Sequence, residues 1–202
     1  MAKRLKAAER RASILAVAKV LFADRGFHGV SVDEIARRLG VSPAVLYRHF
    51  DSKETLYEAA LSEIACQRES YVEAALGGPG DFGSVLLRMT RVYVASVARD
   101  PDYLRMEMHS VLEGAPAAQQ FFESRWKSFT DFIEVSLGEL APQGRVARVD
   151  ARSASLMFQG MVREALYAKC VLKSPRHKDI RLEDLVEQLI ELFLAAIRYQ
   201  RS

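Results

Sequence analysis

The chain has 202 residues, of which 50% are hydrophobic and 27% charged, a composition typical of a folded protein with a sizeable core. No apolar run approaches the roughly 18–20 residues of a membrane span, and no apolar signal segment follows the basic N-terminus. The two cysteines, Cys66 and Cys170, lie too far apart in the sequence to form a disulfide framework. We therefore expect a cytoplasmic protein with no membrane partner.

The net charge of +3 is unevenly distributed along the chain. Residues 1–53 carry 11 lysines and arginines against 5 aspartates and glutamates, whereas residues 54–202 carry 18 against 21. A basic N-terminal segment followed by a slightly acidic remainder predicts that a polyanion binds at one end of the molecule only.

Apolar residues at helical spacing, interrupted at glycines and prolines, predict nine helices and an all-α fold. The first helix covers about 8–25 and ends at Gly26. Ser31 and Glu34 form a capping box for a second helix that ends at Gly40, and Ser42 begins a third that ends near residue 50. Longer helices are predicted near 52–75, 82–98, 101–112, 116–139, 150–172 and 180–199. We expect an N-terminal domain of residues 1–52 and a second domain of residues 53–202.

The second and third helices have the spacing of a helix-turn-helix motif. At 100° per residue, Leu46 and Phe50 of the third helix share its inward side. The outward side consists of Ala44, Val45 and Arg48, flanked by Tyr47 and His49. Base edges in a DNA major groove would meet the outward side, and phosphates would meet the flanks. Ser31 and Lys53 stand at the starts of the neighbouring helices, where backbone N–H groups favour phosphate.

The stretch "SVDEIARRLGVSPAVLYRHFDSK", with the helix before it, closely resembles the DNA-binding domain of the TetR (tetracycline-repressor) family of bacterial transcription regulators over residues 14–61. The resemblance implies base contacts at positions 43, 44, 45 and 48 and phosphate contacts at Tyr47, His49 and Lys53. Position 44 is often glycine in the family and is alanine here, and Asp33 would repel a phosphate. The predicted DNA-binding set is Ser31, Ser42, Pro43, Ala44, Val45, Tyr47, Arg48, His49 and Lys53.

The resemblance also implies a repressor that binds a pseudo-palindromic operator in double-stranded DNA as a homodimer and releases it when a small molecule binds. The last helix is apolar over too wide an arc for a monomer's surface helix, so it would pair with a second copy. A buried helix within a monomer is the alternative.

Aromatic and methionine residues of the second domain form a stripe that such a repressor would use as a ligand pocket, although such stripes are more often core. Few charges fall on these faces, so the predicted effector is largely apolar. Coupling to the DNA-binding end would follow the fourth helix, 53–75. The predicted lining residues are Met89, Tyr93, Phe122, Trp126, Phe129, Met161 and Tyr167.

Two other classes of function are considered. The four histidines fit no metal-binding or nucleophile motif, so we predict no enzyme, no metal site and no cofactor. A non-specific architectural DNA-binding protein is the alternative reading, and the acidic second domain argues against it.

Overall fold

The computed structural model describes residues 7–66, 78, 80–114 and 116–201. Within these residues the chain forms nine α-helices and no β-strand, which confirms the predicted all-α class. A π-helical turn, Tyr167–Val171, and a short 3₁₀ turn, Pro175–His177, follow the eighth helix. The helices are α1 (Ala7–Arg25), α2 (Val32–Leu39), α3 (Pro43–Tyr47), α4 (Lys53–Cys66), α5 (Phe82–Arg99), α6 (Asp102–Leu112), α7 (Pro116–Leu140), α8 (Ala151–Leu166) and α9 (Leu182–Ala196).

The predicted extension of the fourth helix to about residue 75 lies outside the described residues. In the part of the chain that is described, no helix combines the length and the apolar character needed to cross a membrane.

Short polar side chains begin several helices. Ser31 Oγ accepts a hydrogen bond from Glu34 N at 3.2 Å, Asp81 Oδ1 from Ser84 N at 2.9 Å, and Asp150 Oδ1 from Ser153 N at 2.8 Å. Each satisfies a backbone N–H that the first turn of a helix leaves without a partner. These caps explain why α2, α5 and α8 begin where they do.

The chain divides into two compact units. The first unit comprises Met1–Gln67 and Asp102–Phe122, and the second comprises Arg68–Pro101 and Glu123–Ser202. The predicted boundary after residue 52 divides the chain differently, because α4 and α6 both pack against α1 in the first unit.

The core of the first unit is built around α1. Its apolar side, from Ile14 to Phe22, is buried, and the Phe22 ring lies 4.9 Å from the Tyr57 ring of α4. Tyr103 and Leu104 of α6 are fully buried in the same unit. Burial of this aromatic and aliphatic surface stabilises the unit that contains α2 and α3.

A chain of aromatic rings forms the core of the second unit. Tyr93 lies 4.9 Å from Trp126, which lies 5.5 Å from Phe129, as measured between ring centroids. Further ring contacts join Phe129 to Phe158 and Phe158 to Phe193. Aromatic pairs at these separations add to the energy of area burial alone.

Candidate nucleic-acid interface

The turn between α2 and α3 fixes the orientation of the short third helix. Gly40 ends α2 in the left-handed region, at φ 65° and ψ 35°, and its N–H donates to the carbonyls of Ala36 and Arg37. Val41 N–H also donates to Ala36 O, at 3.0 Å. Only glycine adopts this conformation without strain, and the paired bonds close the helix end. α3 then begins with Pro43 at its first position, as predicted.

The inward side of α3 is anchored and its outward side is open. Leu46 is 1% exposed and Phe50 6% exposed. Tyr47 is 52% exposed. Ala44 and Arg48 are also exposed, and Pro43, Val45 and His49 are half-buried. Leu46 and Phe50 thus lie inward and Ala44 and Arg48 outward, as predicted, whereas Val45 is less exposed than its predicted outward position.

The regular helix is shorter than predicted, since it ends at Tyr47 rather than near residue 50. His49 and Phe50 both donate their N–H groups to Leu46 O, at 2.9 and 3.0 Å, which tightens the final turn. Arg48 keeps helical backbone angles, φ −74° and ψ −16°. Its side chain therefore stays on the outward side of the motif.

The predicted capping box at the start of α2 is only half formed. Ser31 Oγ accepts the Glu34 N–H, but the Glu34 carboxylate accepts a hydrogen bond from Arg25 Nη1 at 2.8 Å. An Arg–carboxylate bond is stronger than the predicted return bond to a neutral N–H. Ser31 is exposed, and Ser42, at the start of α3, is exposed with no cap hydrogen bond to its side chain.

Lys53 stands at the start of α4, as predicted, and its ammonium contacts the turn between α1 and α2. Its Nζ donates to Phe27 O at 2.9 Å and to Val30 O at 3.1 Å. The same ammonium lies 4.1 Å from the centroid of the Phe27 ring. Lys53 therefore stabilises the turn between α1 and α2, and its charge is largely engaged within the protein.

Two arginines lie near the motif; the sequence places Arg11 in a basic arm that could follow the DNA backbone or enter a minor groove, whereas Arg37 was not singled out. Arg37 of α2 has an 80% exposed side chain, 3.9 Å from Glu34. The Arg11 guanidinium lies 5.0 Å from the centroid of the Phe50 ring, directly after α3. Exposed guanidinium groups beside a reading helix are suited to phosphate contacts.

The predicted effector-lining residues are mostly buried. Met89, Tyr93, Trp126 and Phe129 are each at most 3% exposed and pack in the core of the second unit. Phe122 belongs to the first unit, where its ring lies 5.0 Å from that of Tyr103. Met161 and Tyr167 are half-exposed.

Met161 lines a groove of about 520 Å³ in the second unit. Its other walls are mainly apolar residues of α8 and α9, including Leu185, Leu189 and Leu192. Among the described side chains, no group of three or more His, Cys, Asp or Glu residues is arranged to hold a metal ion.

Comparison with known proteins agrees with the geometry of the motif. The family described as bacterial regulatory proteins of the tetR family matches residues 14–60. Residues 14–60 thus carry a DNA-binding domain of the TetR family. The curated relatives and solved structures that match more of the chain are transcriptional regulators.

Relatives of known name are also transcriptional regulators. The chain is 38% identical to the transcriptional activator FasR of Mycolicibacterium smegmatis over 118 residues, which is 57% of this chain and 54% of FasR. It thus spans about half the length of that relative. It is 24% identical to the regulator RutR of Escherichia coli K12 over 201 residues, covering 94% of this chain and 91% of RutR.

Solved structures of TetR-like regulators share the fold. One from Rhodococcus sp. RHA1 has a TM-score of 0.73 at 21% identity, with 96% of this chain and 98% of that chain covered. A regulator from Saccharomonospora viridis in complex with choline has a TM-score of 0.72 at 22% identity, with 96% and 100% covered.

Proposed function

We propose that this protein is a ligand-responsive repressor that binds a pseudo-palindromic operator as a homodimer in the bacterial cytoplasm. The observation that carries the proposal is the open outward side of α3, with Tyr47 52% exposed beside exposed Arg48. In this proposal Arg48, Ala44 and Val45 meet base edges, and Pro43 begins the helix that presents them. Tyr47 and His49 contact phosphates on either side, and Ser31 and Ser42 add backbone contacts.

Selection of bound DNA from a random pool tests the interface. Arg48→Ala should weaken binding to the selected site by about 1–3 kcal/mol and relax its sequence preference. The matched control is Arg152→Ala, which removes an exposed arginine from the second unit and should leave the site unchanged. If Arg48→Ala keeps both the affinity and the selected sequence, α3 is not the reading helix. The alternative function, a non-specific architectural DNA-binding protein, is tested by titrating salt on the selected site and on random DNA. An architectural protein would bind the two DNAs with the same affinity.

The sign of regulation needs its own test, because FasR is named as an activator. A reporter gene placed behind the selected site should increase its expression when this chain is deleted. A decrease would instead support an activator with the same DNA-binding motif.

Exposed apolar residues on the last two helices support the homodimer. Leu156, Met157 and Leu192 are 68%, 67% and 65% exposed, and the groove of about 520 Å³ lies on α8 and α9. Gly160 lies inside α8, and a Cβ added there would meet no atom within 4 Å. A glycine inside a helix costs about 1 kcal/mol relative to alanine. Close approach by the helix of a second copy would account for this residue.

Light scattering at micromolar concentration tests the assembly. The wild-type protein in solution should have about twice the chain mass of 22.7 kDa. The Leu192→Glu variant should have the mass of a monomer. Val135→Glu places the same charge on another exposed apolar residue, of α7, and should stay dimeric. A wild-type monomer, or equal effects of the two variants, would contradict the proposed interface.

The proposed effector is a largely apolar molecule that binds among the rings of the second unit. Tyr93, Trp126 and Phe129 provide polarizable walls, and Met89, Met161 and Tyr167 complete the proposed set. Trp126 Nε1 is buried without a hydrogen-bond partner among the described residues, so it is a candidate polar contact for a ligand. Choline is bound in the Saccharomonospora regulator, and aromatic faces bind quaternary ammonium groups.

Trp126 is the only tryptophan of the chain, so its fluorescence tests the effector site. Free fatty acids of increasing length and choline are titrated separately, with Trp126 emission and affinity for the selected DNA both measured. A compound of the proposed class should shift the emission and release the DNA together. A compound that releases DNA without changing the emission would place the site elsewhere.

A further inference from the structure

The turn between α1 and α2 is held by a carboxylate from a distant part of the chain. Glu113, directly after α6, accepts a hydrogen bond from Phe27 N at 3.0 Å through Oε2 and from His28 N at 3.1 Å through Oε1. Two successive backbone N–H groups that converge on one carboxylate form a charge-assisted pair of bonds. We call this arrangement the Glu113 clasp.

Gly26 makes room for the Glu113 clasp. Its φ of 72° lies in the left-handed region, and a Cβ at this position would lie 2.1 Å from Glu113 Oε1 and 2.9 Å from His109 Nδ1. Backbone conformation and space therefore both require glycine here. Gly26 was predicted from the sequence only as the end of the first helix. The structure gives a second reason for glycine at this position, which is the space that Glu113 occupies.

The other side of the turn is bound as well. Lys53 Nζ donates hydrogen bonds to the carbonyls of Phe27 and Val30. Arg105 Nη1 of α6 lies 3.1 Å from Asp24 Oδ1, at the end of α1. The turn is thus held by an anion on its N–H groups and by a cation on its carbonyl groups.

The turn leads directly into the DNA-binding motif. Val30 is buried, and Ser31, the next residue, caps the start of α2. α2 packs against α3, so the path of residues 26–30 sets where α2 begins and where α3 lies. Loss of the clasp would leave two N–H groups without their acceptor and would loosen this path.

We propose that Glu113 is a positioning residue for DNA recognition, acting through the turn of residues 26–30 that carries the helix-turn-helix motif. The proposal rests on the proposed DNA interface at α3. It assigns Glu113 no contact with DNA.

Glu113→Gln tests the proposal, with Glu63→Gln as the matched control on the exposed surface of α4. A glutamine oxygen can accept from one of the two N–H groups, and its own NH₂ group would face the other. The amides of Phe27 and His28 should exchange hydrogen about tenfold faster, and affinity for the selected DNA should fall about tenfold. In Glu113→Gln the amides of α1 should exchange at the wild-type rate. The control Glu63→Gln should keep the melting temperature of the wild type.

The direction of the change distinguishes positioning from charge. Removal of a negative charge alone favours DNA binding slightly, so Glu63→Gln should bind equally well or a little better, whereas Glu113→Gln should bind worse. Glu113→Asp keeps the charge but is one methylene shorter, so it should lose protection at both amides and bind DNA worse, like Glu113→Gln. Circular dichroism melting shows that each variant is folded.

Three results would overturn the proposal. Unchanged exchange at Phe27 and His28 in both Glu113 variants would show that the clasp does not hold the turn. Faster exchange with unchanged DNA affinity would show that the turn does not position the motif. If Glu113→Gln and Glu63→Gln changed the DNA affinity equally, the change would be explained by the lost negative charge alone. If Arg48→Ala leaves DNA binding intact, the proposed interface fails, and the exchange measurement still tests the clasp.

Discussion

Directional polar bonds fix one turn of the first compact unit, whereas a chain of aromatic rings packs the second. Around the turn of residues 26–30, Glu113 and Lys53 together make four hydrogen bonds to backbone groups. In the second unit, Tyr93, Trp126 and Phe129 contact one another through their rings. Hydrogen bonds weaken steeply when their geometry changes, but apolar packing is non-directional.

This difference corresponds to two tasks of a transcription regulator. A reading helix must hold its side chains in one register against base edges, so the turn before it benefits from directional bonds. A core of rings and methionines can repack around different molecules at modest cost. We therefore expect loss of the Glu113 clasp to weaken DNA binding, and loss of a ring from the second unit to lower stability.

The largest expected effect is the loss of a ring from the second unit. Phe158 is fully buried between Phe129 and Phe193, at 6.2 and 5.0 Å between ring centroids. Phe158→Ala should destabilise this unit by about 3–5 kcal/mol through lost burial and a residual cavity. Chemical denaturation followed by Trp126 fluorescence measures it, and Val135→Ala, at a 61% exposed position, is the control. A loss below about 1 kcal/mol would mean that the ring chain is loosely packed.

Alkaline pH should affect the first unit through Tyr57. Burial, together with the charge of Glu113, raises the pKa of Tyr57 from 10.0 to about 12. The unfolded chain would lose this proton first, so the contribution to stability is present below pH 10 and is lost as pH rises towards 12. The loss should be on the order of 2 kcal/mol.

Tyr57→Phe isolates this effect. The Tyr57 hydroxyl is buried with no hydrogen-bond partner among the described residues, so its removal should cost little at neutral pH. The variant should be more resistant to unfolding between pH 10 and 12 than the wild type. Equal alkaline sensitivity of the two proteins would assign the loss to other groups.

Lys53→Met tests whether this lysine stabilises the turn or binds phosphate. Without the ammonium, the carbonyls of Phe27 and Val30 lose their donor, and stability should fall by about 1–2 kcal/mol. The slope of DNA affinity against salt concentration should stay unchanged, because Lys53 neutralises no phosphate in this arrangement. A slope reduced by about one with unchanged stability would restore the role predicted from the sequence.

Contacts between sequence neighbours explain what could be predicted. Ser31, Gly40 and Pro43 signal helix ends through groups within a few residues, and the structure places α2 and α3 accordingly. The Glu113 clasp joins positions 85 and 86 residues apart, and Lys53 reaches 23 and 26 residues back. No local pattern signals either of these contacts. Both arise only when α4 and α6 pack against α1.

The effector residues show a different limit of sequence reasoning. Helical periodicity places Trp126 and Phe129 on one face of α7, and both are buried in the structure. The same apolar pattern fits a packed core and the wall of a ligand pocket. The end of α8 was also beyond local patterns, because the predicted helix to residue 172 changes to a π-helical turn at Tyr167.

The smallest expected effect compares two glycines, one in each unit. Gly40 and Gly144 have φ of 65° and 69°, and a Cβ added to either would meet no atom within 4 Å. Alanine at each position should therefore cost only the backbone penalty, about 1 kcal/mol. Gly40 sits between α2 and α3, so Gly40→Ala should also weaken binding to the selected DNA, whereas Gly144→Ala should not. Melting temperatures and DNA affinities of both variants are measured together. Equal DNA affinity of the two variants would mean that the turn into α3 tolerates a shift, and that DNA recognition depends less on the geometry of the first unit than its polar bonds indicate.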